Sequence, residues 1–203
     1  MGVEGGAGKG TPGRPEAGHR DPRELLERAA RGDRAAFDAL TRDFFAPVFG
    51  YARRALGDED LAVDVTQDTF VRAWRSRTSF DGRRGSARAW LFAIAANRVR
   101  DARRARGEAP APLEEPGELP AGDPAGLDAF ARGALRAEVT AAVEALPPEQ
   151  REVVALKYLA DLSYEEVAQA LGLSVGAAKM RALRARDALA RALRDHRDSG
   201  GSP

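Results

Sequence analysis

Alanine sets the terms for this chain, supplying 41 of its 203 residues. Apolar residues make up 43% of the sequence, which leaves about 46 larger apolar side chains to fill a core. A single isoleucine, Ile94, and 13 aromatic rings are too few bulky and β-branched side chains for a large β-sheet core. The composition calls for an all-α fold of one or two small helical domains.

Several functional classes drop out. With no cysteine, the chain has no disulfide scaffold, no thiol catalysis and no cysteine-ligated zinc or iron-sulfur site, which fits a reducing compartment. No apolar run approaches the roughly 18 to 20 residues of a membrane span, so no direct membrane insertion is expected. Residues 1–20 are rich in glycine and proline and lack the apolar stretch of a secretory signal, and they read as a disordered tail. The tail's GAGKGT resembles a phosphate loop, but Lys9 is followed by Gly10 instead of Ser or Thr and no strand precedes it. The two histidines, His19 and His196, lie near the ends, and the acids at 58–60 have no His or Cys nearby to complete a metal or acid–base site. No catalytic residue, metal or cofactor is expected.

Basic and acidic residues nearly cancel, 32 against 31, and 29 of the basic ones are arginine, the side chain that grips phosphate bidentately and stacks on bases. Along the chain the charge separates. From Glu108 to Gly126 run five prolines (Pro110, Pro112, Pro116, Pro120 and Pro124), five acids and no base. This is the mark of an extended acidic linker, over residues 107–126, between halves at 21–106 and 127–203. The first half has a basic surplus, 18 against 13, while the second is balanced at 11 each. Asp58, Glu59, Asp60, Asp64 and Asp68 form an acidic run without a base; residues 83–106 hold eight arginines against Asp101; residues 179–197 hold seven bases against two acids. Any one such run is ordinarily a solvated helix face. Two basic runs and an acidic one invite a second explanation, in docking.

In the first half, Asp21-Pro22-Arg23-Glu24 reads as a helix start, with an N-cap acceptor, proline in the first turn and Glu three residues after the cap. Asp33 starts a second helix carrying Phe37, Leu40 and Phe44, and a third is expected from about Ala46 to Leu56, stopping at Gly57. Asp58 caps a longer helix to about Arg75. There Val63, Gln67, Phe70 and Trp74 share one stripe and Asp60, Asp64 and Asp68 another, available to a basic partner. A loop with Phe80, Arg83 and Arg84 leads to Ser86, the expected cap of a helix from Ala87 to Arg106. Trp90, Leu91 and Ile94 would pack inward, while Asn97, Arg98, Arg100, Arg103 and Arg104 offer donors. Cations that track phosphates, rings that stack on bases and an amide that reads a base edge suit single-stranded nucleic acid, although a tryptophan such as Trp90 is as readily a core residue.

In the second half, Leu127–Leu146 reads as one helix, ending before Pro147-Pro148, and Glu149–Leu159 as another. Ser163-Tyr164-Glu165-Glu166 is a capping box opening a short helix to Leu171, Gly172 ends it, and Ser174 caps a further basic helix from Val175. That is the plan of a helix-turn-helix, whose second helix enters the DNA major groove. Lys179, Arg181, Arg184 and Arg186 would face phosphate or base edges, with Arg181 or Arg184 placed to specify sequence.

Taken in order, these segments resemble the extracytoplasmic-function (ECF) sigma factors, bacterial subunits that direct RNA polymerase to promoters. The resemblance lies in residues 60–74 (DLAVDVTQDTFVRAW), in Phe80 followed by Gly85-Ser86 and 89–97 (AWLFAIAAN), in 146–154 (LPPEQREVV) and in 162–176 (LSYEEVAQALGLSVG). It implies a protein that is not an enzyme but a bacterial, cytoplasmic transcription factor. Core RNA polymerase, through its β′ clamp and β subunits, would dock on Asp60, Asp64, Gln67, Asp68, Val71 and Trp74. The melted -10 strand would meet Phe80, Arg83, Arg84, Trp90, Asn97 and Arg98. Duplex -35 DNA would meet Ser174, Lys179, Met180, Arg181, Leu183 and Arg184. An anti-sigma factor is a further implied partner, and any thiol sensing would reside in it. Where the family often has Thr-Val-Lys-Ser-Arg, this chain has Ala177-Ala178-Lys179-Met180-Arg181, so base preference at Met180 does not carry over. A stand-alone helix-turn-helix regulator is the alternative, and it leaves the acidic helix and the segment from Phe80 to Asn97 without a role.

Overall fold

The computed structural model describes residues 21–108 and 136–199, with side chains described over 21–108 and 139–194. The expected tail, most of the expected linker and the start of the helix expected from Leu127 lie outside the described residues. Within them every regular element is helical.

Short polar residues set most of the helix starts. Asp21 accepts from the Arg23 N–H at 2.9 Å ahead of α1 (Pro22–Ala30), Asp33 from Ala36 at 3.0 Å ahead of α2 (Arg34–Leu56), and Asp58 from Leu61 at 2.9 Å ahead of α3 (Glu59–Ser76). A 3-10 turn, Arg77–Ser79, leads through the loop to Ser86, which caps α4 (Ala87–Ala105). In the second half α5 (Arg136–Glu144) is followed by α6 (Pro148–Val154), whose last turn widens into a π turn over Ala155–Leu159. Both arms of the Ser163–Glu166 capping box form, opening α7 (Tyr164–Leu171); Gly172, at φ 67°, ends it, and Ser174 caps α8 (Val175–Ser199).

Three expectations are corrected. The helices expected on either side of Ala46 are one, since α2 runs unbroken through Pro47. Proline removes the N–H that would reach the Asp43 carbonyl, but Phe44, Val48 and Tyr51 bury on both sides of it and hold the helix on course. The inward stripe of α3 is Ala62, Val65, Thr66, Thr69, Phe70 and Ala73; Gln67 is exposed and Val63 half-buried. Thr66 and Thr69 enter the core because each hydroxyl donates to the carbonyl four residues back, Ala62 and Val65, at 2.7 Å. The helix expected over Glu149–Leu159 begins at Pro148, and its last five residues leave α geometry.

The two halves pack against each other. One core runs from Leu26, Leu40, Tyr51, Leu91, Phe92 and Val99 into Val153, Leu156, Leu162 and Val167. Fully buried alanines, among them Ala29, Ala52, Ala62, Ala95 and Ala96, line the helix contacts, so the alanine excess of the sequence goes into closely approached helices. A smaller cluster of Val143, Leu146, Val154, Ala185 and Leu189 ties α5 and α6 to α8. Among the described residues no helix is long and apolar enough to cross a membrane.

Candidate interaction surfaces

On α3, Asp60, Asp64 and Gln67 stand exposed, and Val71 keeps 46% of its surface in solvent. Trp74 is half-buried and fixed: Phe37 meets it edge-on at 5.1 Å, and the Arg77 guanidinium lies 3.9 Å from its ring centroid while donating to the Ala29 and Trp74 carbonyls. Phe37, Thr41, Phe70, Val71, Trp74 and Arg75 line a groove of about 470 Å³ between α2 and α3. Phe45, 42% exposed and stacked on Phe70 at 6.1 Å, extends the exposed apolar surface. Sequence reading passed over Phe45 because it neighbours Phe44, which takes the buried place.

Asp68 behaves differently from the other acids of its stripe. It accepts from Arg72 at 3.0 Å and from Arg98 of α4 at 3.1 Å. Burial acts to raise its pKa, but the two guanidinium hydrogen bonds outweigh it and hold the carboxyl below the ordinary value. One member of the acidic stripe is therefore bound to the basic helix of the same chain.

The residues assigned to the single strand fall at two stations along α4. Near its start, Trp90 meets Phe80 edge-on at 5.9 Å, beside a loop where Arg83 and Arg84 are exposed and Arg83 pairs with Asp81 at 3.0 Å. Two turns on, roughly 10 Å along the axis, Asn97 is exposed and Arg98 is paired with Asp68 and Asp101. Asn97 and Arg98 share a groove of about 650 Å³ with Arg72, Arg75, Asp101 and Arg104. Arg72 and Arg75 went unnoticed in the sequence because they sit on the helix whose acids drew attention.

On α8, Ser174 and Arg184 are exposed, and Lys179, Met180 and Leu183 are half-buried. Lys179 and Lys157 approach the Tyr164 ring at 5.9 and 5.3 Å. Arg181 departs from its expected place at the surface and is only 5% exposed. Its stripe is Ala177, Ala178, Ala182 and Ala185, all buried, and such small neighbours leave room for a long arginine stem. In this arrangement Arg184, not Arg181, is the arginine of that pair turned to solvent.

Polar contacts between the halves were not legible in the sequence. Tyr51, fully buried in α2, donates to Glu152 of α6 at 2.7 Å, and Arg103 of α4 reaches the other oxygen of Glu152 at 3.4 Å while donating to the Ala55 carbonyl. Burial, then the charge of Glu152, pushes the Tyr51 hydroxyl well above its ordinary pKa. Arg100 of α4 donates to the Ala170 and Leu171 carbonyls at the end of α7, at 3.2 and 3.4 Å, and Arg88 to Ala160 at 2.8 Å. Ser86 and Glu166, a helix cap in each half, also hydrogen-bond.

The family model "Sigma-70 region 2" matches residues 40–108 and "Sigma-70, region 4" matches residues 136–189. The RNA polymerase sigma-H factor of Pseudomonas aeruginosa is 33% identical over 84% of this chain and 92% of its own length. The ECF RNA polymerase sigma factor SigK of Mycobacterium ulcerans is 32% identical over 94% and 98%. Among solved structures, CnrH in complex with the cytosolic domain of CnrY is 32% identical, covers 86% of this chain and 97% of its own, and superposes with a TM-score of 0.63. The sigma factor RpoE in complex with the anti-sigma factor NepR, from Bartonella quintana, gives 27%, 78%, 96% and 0.60. This chain belongs to the ECF class of RNA polymerase sigma factors. Its relatives are transcription initiation factors and not enzymes.

Proposed function

We propose that this sigma factor binds core RNA polymerase through the exposed face of α3 and carries it to promoters in the bacterial cytoplasm. The first half, 21–106, takes the polymerase and the -10 element; the second, 127–203, takes the -35 element; the acidic segment joins them. Duplex -35 DNA is read by α8, with Ser174, Lys179, Met180, Leu183 and Arg184 available at its surface. The melted -10 strand runs over α4, from the Phe80–Trp90 pair toward the groove of Asn97 and Arg98. Holding unstacked bases offsets part of the cost of opening the duplex, so no bond chemistry is required.

The observation that carries this reading is the presence in one chain of the arginine-lined groove between α3 and α4 and of a fully capped helix-turn-helix. A similar sigma factor is seen with its anti-sigma factor, which supports an inhibitory protein partner here as well. The test is run-off transcription. Core polymerase with this chain is expected to initiate at a defined promoter, while the chain alone binds duplex promoter DNA weakly. Tight operator binding by the chain alone, with core polymerase neither bound nor redirected, would instead support the stand-alone regulator.

A further inference from the structure

Helix α1 precedes the part of the chain that the region 2 family model matches, which begins at residue 40. Its inner face, Leu25, Leu26 and Ala29, is buried in the core, and both its ends touch the segment that carries Phe80. Three residues before Phe80, the Arg77 guanidinium donates to the Ala29 carbonyl at 3.0 Å. Two residues after Phe80, a Cβ added at Gly82 would stand 2.6 Å from Nε and 2.9 Å from Cζ of Arg23, well inside van der Waals contact. Arg23 and Ala29 are about 9 Å apart along a helix, so α1 holds the segment on both sides of Phe80.

At Gly82 the constraint is room, not backbone conformation. Asp81 opens a turn: its carbonyl accepts from the Arg84 N–H at 2.9 Å and its carboxylate from the Arg83 N–H at 3.0 Å. Gly82 takes the second place of that turn without a left-handed backbone, so the turn itself would accept a side chain there. The approach of Arg23 would not. Glu27 aims this guanidinium by accepting from its Nε at 2.9 Å, and the same carboxylate, followed by Asp21 and Asp81, favours its charged form. A loop that carries a ring pair for base recognition loses affinity to its own ordering unless it is held beforehand, and discrimination between bases needs fixed edges.

We propose that α1 braces the strand-reading loop, and that Arg23, packed against Gly82, is a positioning residue that sets the Phe80–Trp90 pair for base selection without touching the strand. The inference rests on the assignment of the melted -10 strand to that loop. Core polymerase carrying this chain selects from a pool of short randomised single-stranded DNA, and affinities are measured for the enriched sequence and its single-base changes. Arg23→Ala is expected to bind polymerase as the unaltered chain does, yet to reduce the ratio of matched to mismatched affinity about tenfold, the scale of one base contact. The slope of log affinity against log salt should stay the same. Gly82→Ala, whose methyl pushes the guanidinium aside, should lose the same selectivity, and added to Arg23→Ala it should cost nothing further.

A salt slope shallower by about 0.7 in Arg23→Ala, the mark of one lost single-strand phosphate contact, overturns the positioning role. So does a parallel loss of polymerase binding, or selectivity unmoved in both folded variants. Should Arg23→Ala lose helical signal, Gly82→Ala, which displaces only the flexible end of Arg23, decides alone. A wild-type complex that binds polymerase but enriches no sequence overturns the -10 assignment and the brace with it.

Discussion

Gly172 sits at φ 67°, and a Cβ added there would meet nothing closer than the Arg100 guanidinium at 3.9 Å. Space is therefore not the issue, and the left-handed backbone is. Gly172→Ala is expected to destabilise the chain by about 1 kcal/mol, read by urea denaturation, with the larger effect on -35 DNA binding than on polymerase binding. At this scale the sequence was readable where a role is local. The Asp and Ser caps, the capping box and the glycine stop depend on residues within about four positions of one another. It was unreadable where the partner is remote: Glu152 finds Tyr51 across 101 positions, and no pattern near Glu152 distinguishes it from a surface acid. Arg181 misled for a related reason, since an arginine on a basic helix looks solvated until the alanines beside it are known to be inside.

At the level of the helix, periodicity located nearly every element but misjudged phase and continuity. The α3 stripe was placed one step off because threonine was not counted as core, although its hydroxyl can be satisfied within the helix. A new helix was expected from about Ala46, but burial on both sides of Pro47 keeps α2 continuous although proline costs it a backbone hydrogen bond. The aspartate caps make a prediction about acid. The Asp33 carboxyl is held below the ordinary carboxylate value by the Ala36 N–H and then Arg28, and that of Asp58 by the Leu61 N–H together with Arg106, which outweigh the opposing effect of burial. Groups with lowered pKa contribute stability in full above the unfolded value and lose it as pH falls through the folded one. The melting temperature should therefore drop as acidification passes below the ordinary carboxylate range and through the lowered values of these caps. Asp33→Asn with Asp58→Asn, which keeps a capping oxygen but cannot titrate, should flatten that drop; an unchanged slope would place the acid sensitivity elsewhere.

For the molecule as a whole, two helical halves were legible from the proline-rich acidic run, whereas their union in one core was not. Composition can reveal a boundary, but docking depends on which faces match, and alanine-lined faces carry little signature in sequence. Both tryptophans, Trp74 and Trp90, are in the first half, so fluorescence reports that half while far-ultraviolet circular dichroism reports both. With a shared core, the two signals are expected to trace one coincident urea transition; a dichroism change persisting after the fluorescence change is complete would show halves that unfold separately.

The scarcity of lysine has a practical corollary. Lys9, Lys157 and Lys179 are the chain's only lysines, and the last two converge on the Tyr164 ring. Apart from the tail, reagents that acylate amines can mark this protein at one spot, beside the entrance of the helix-turn-helix. Loss of labelling there is a ready-made footprint for whatever comes to cover it.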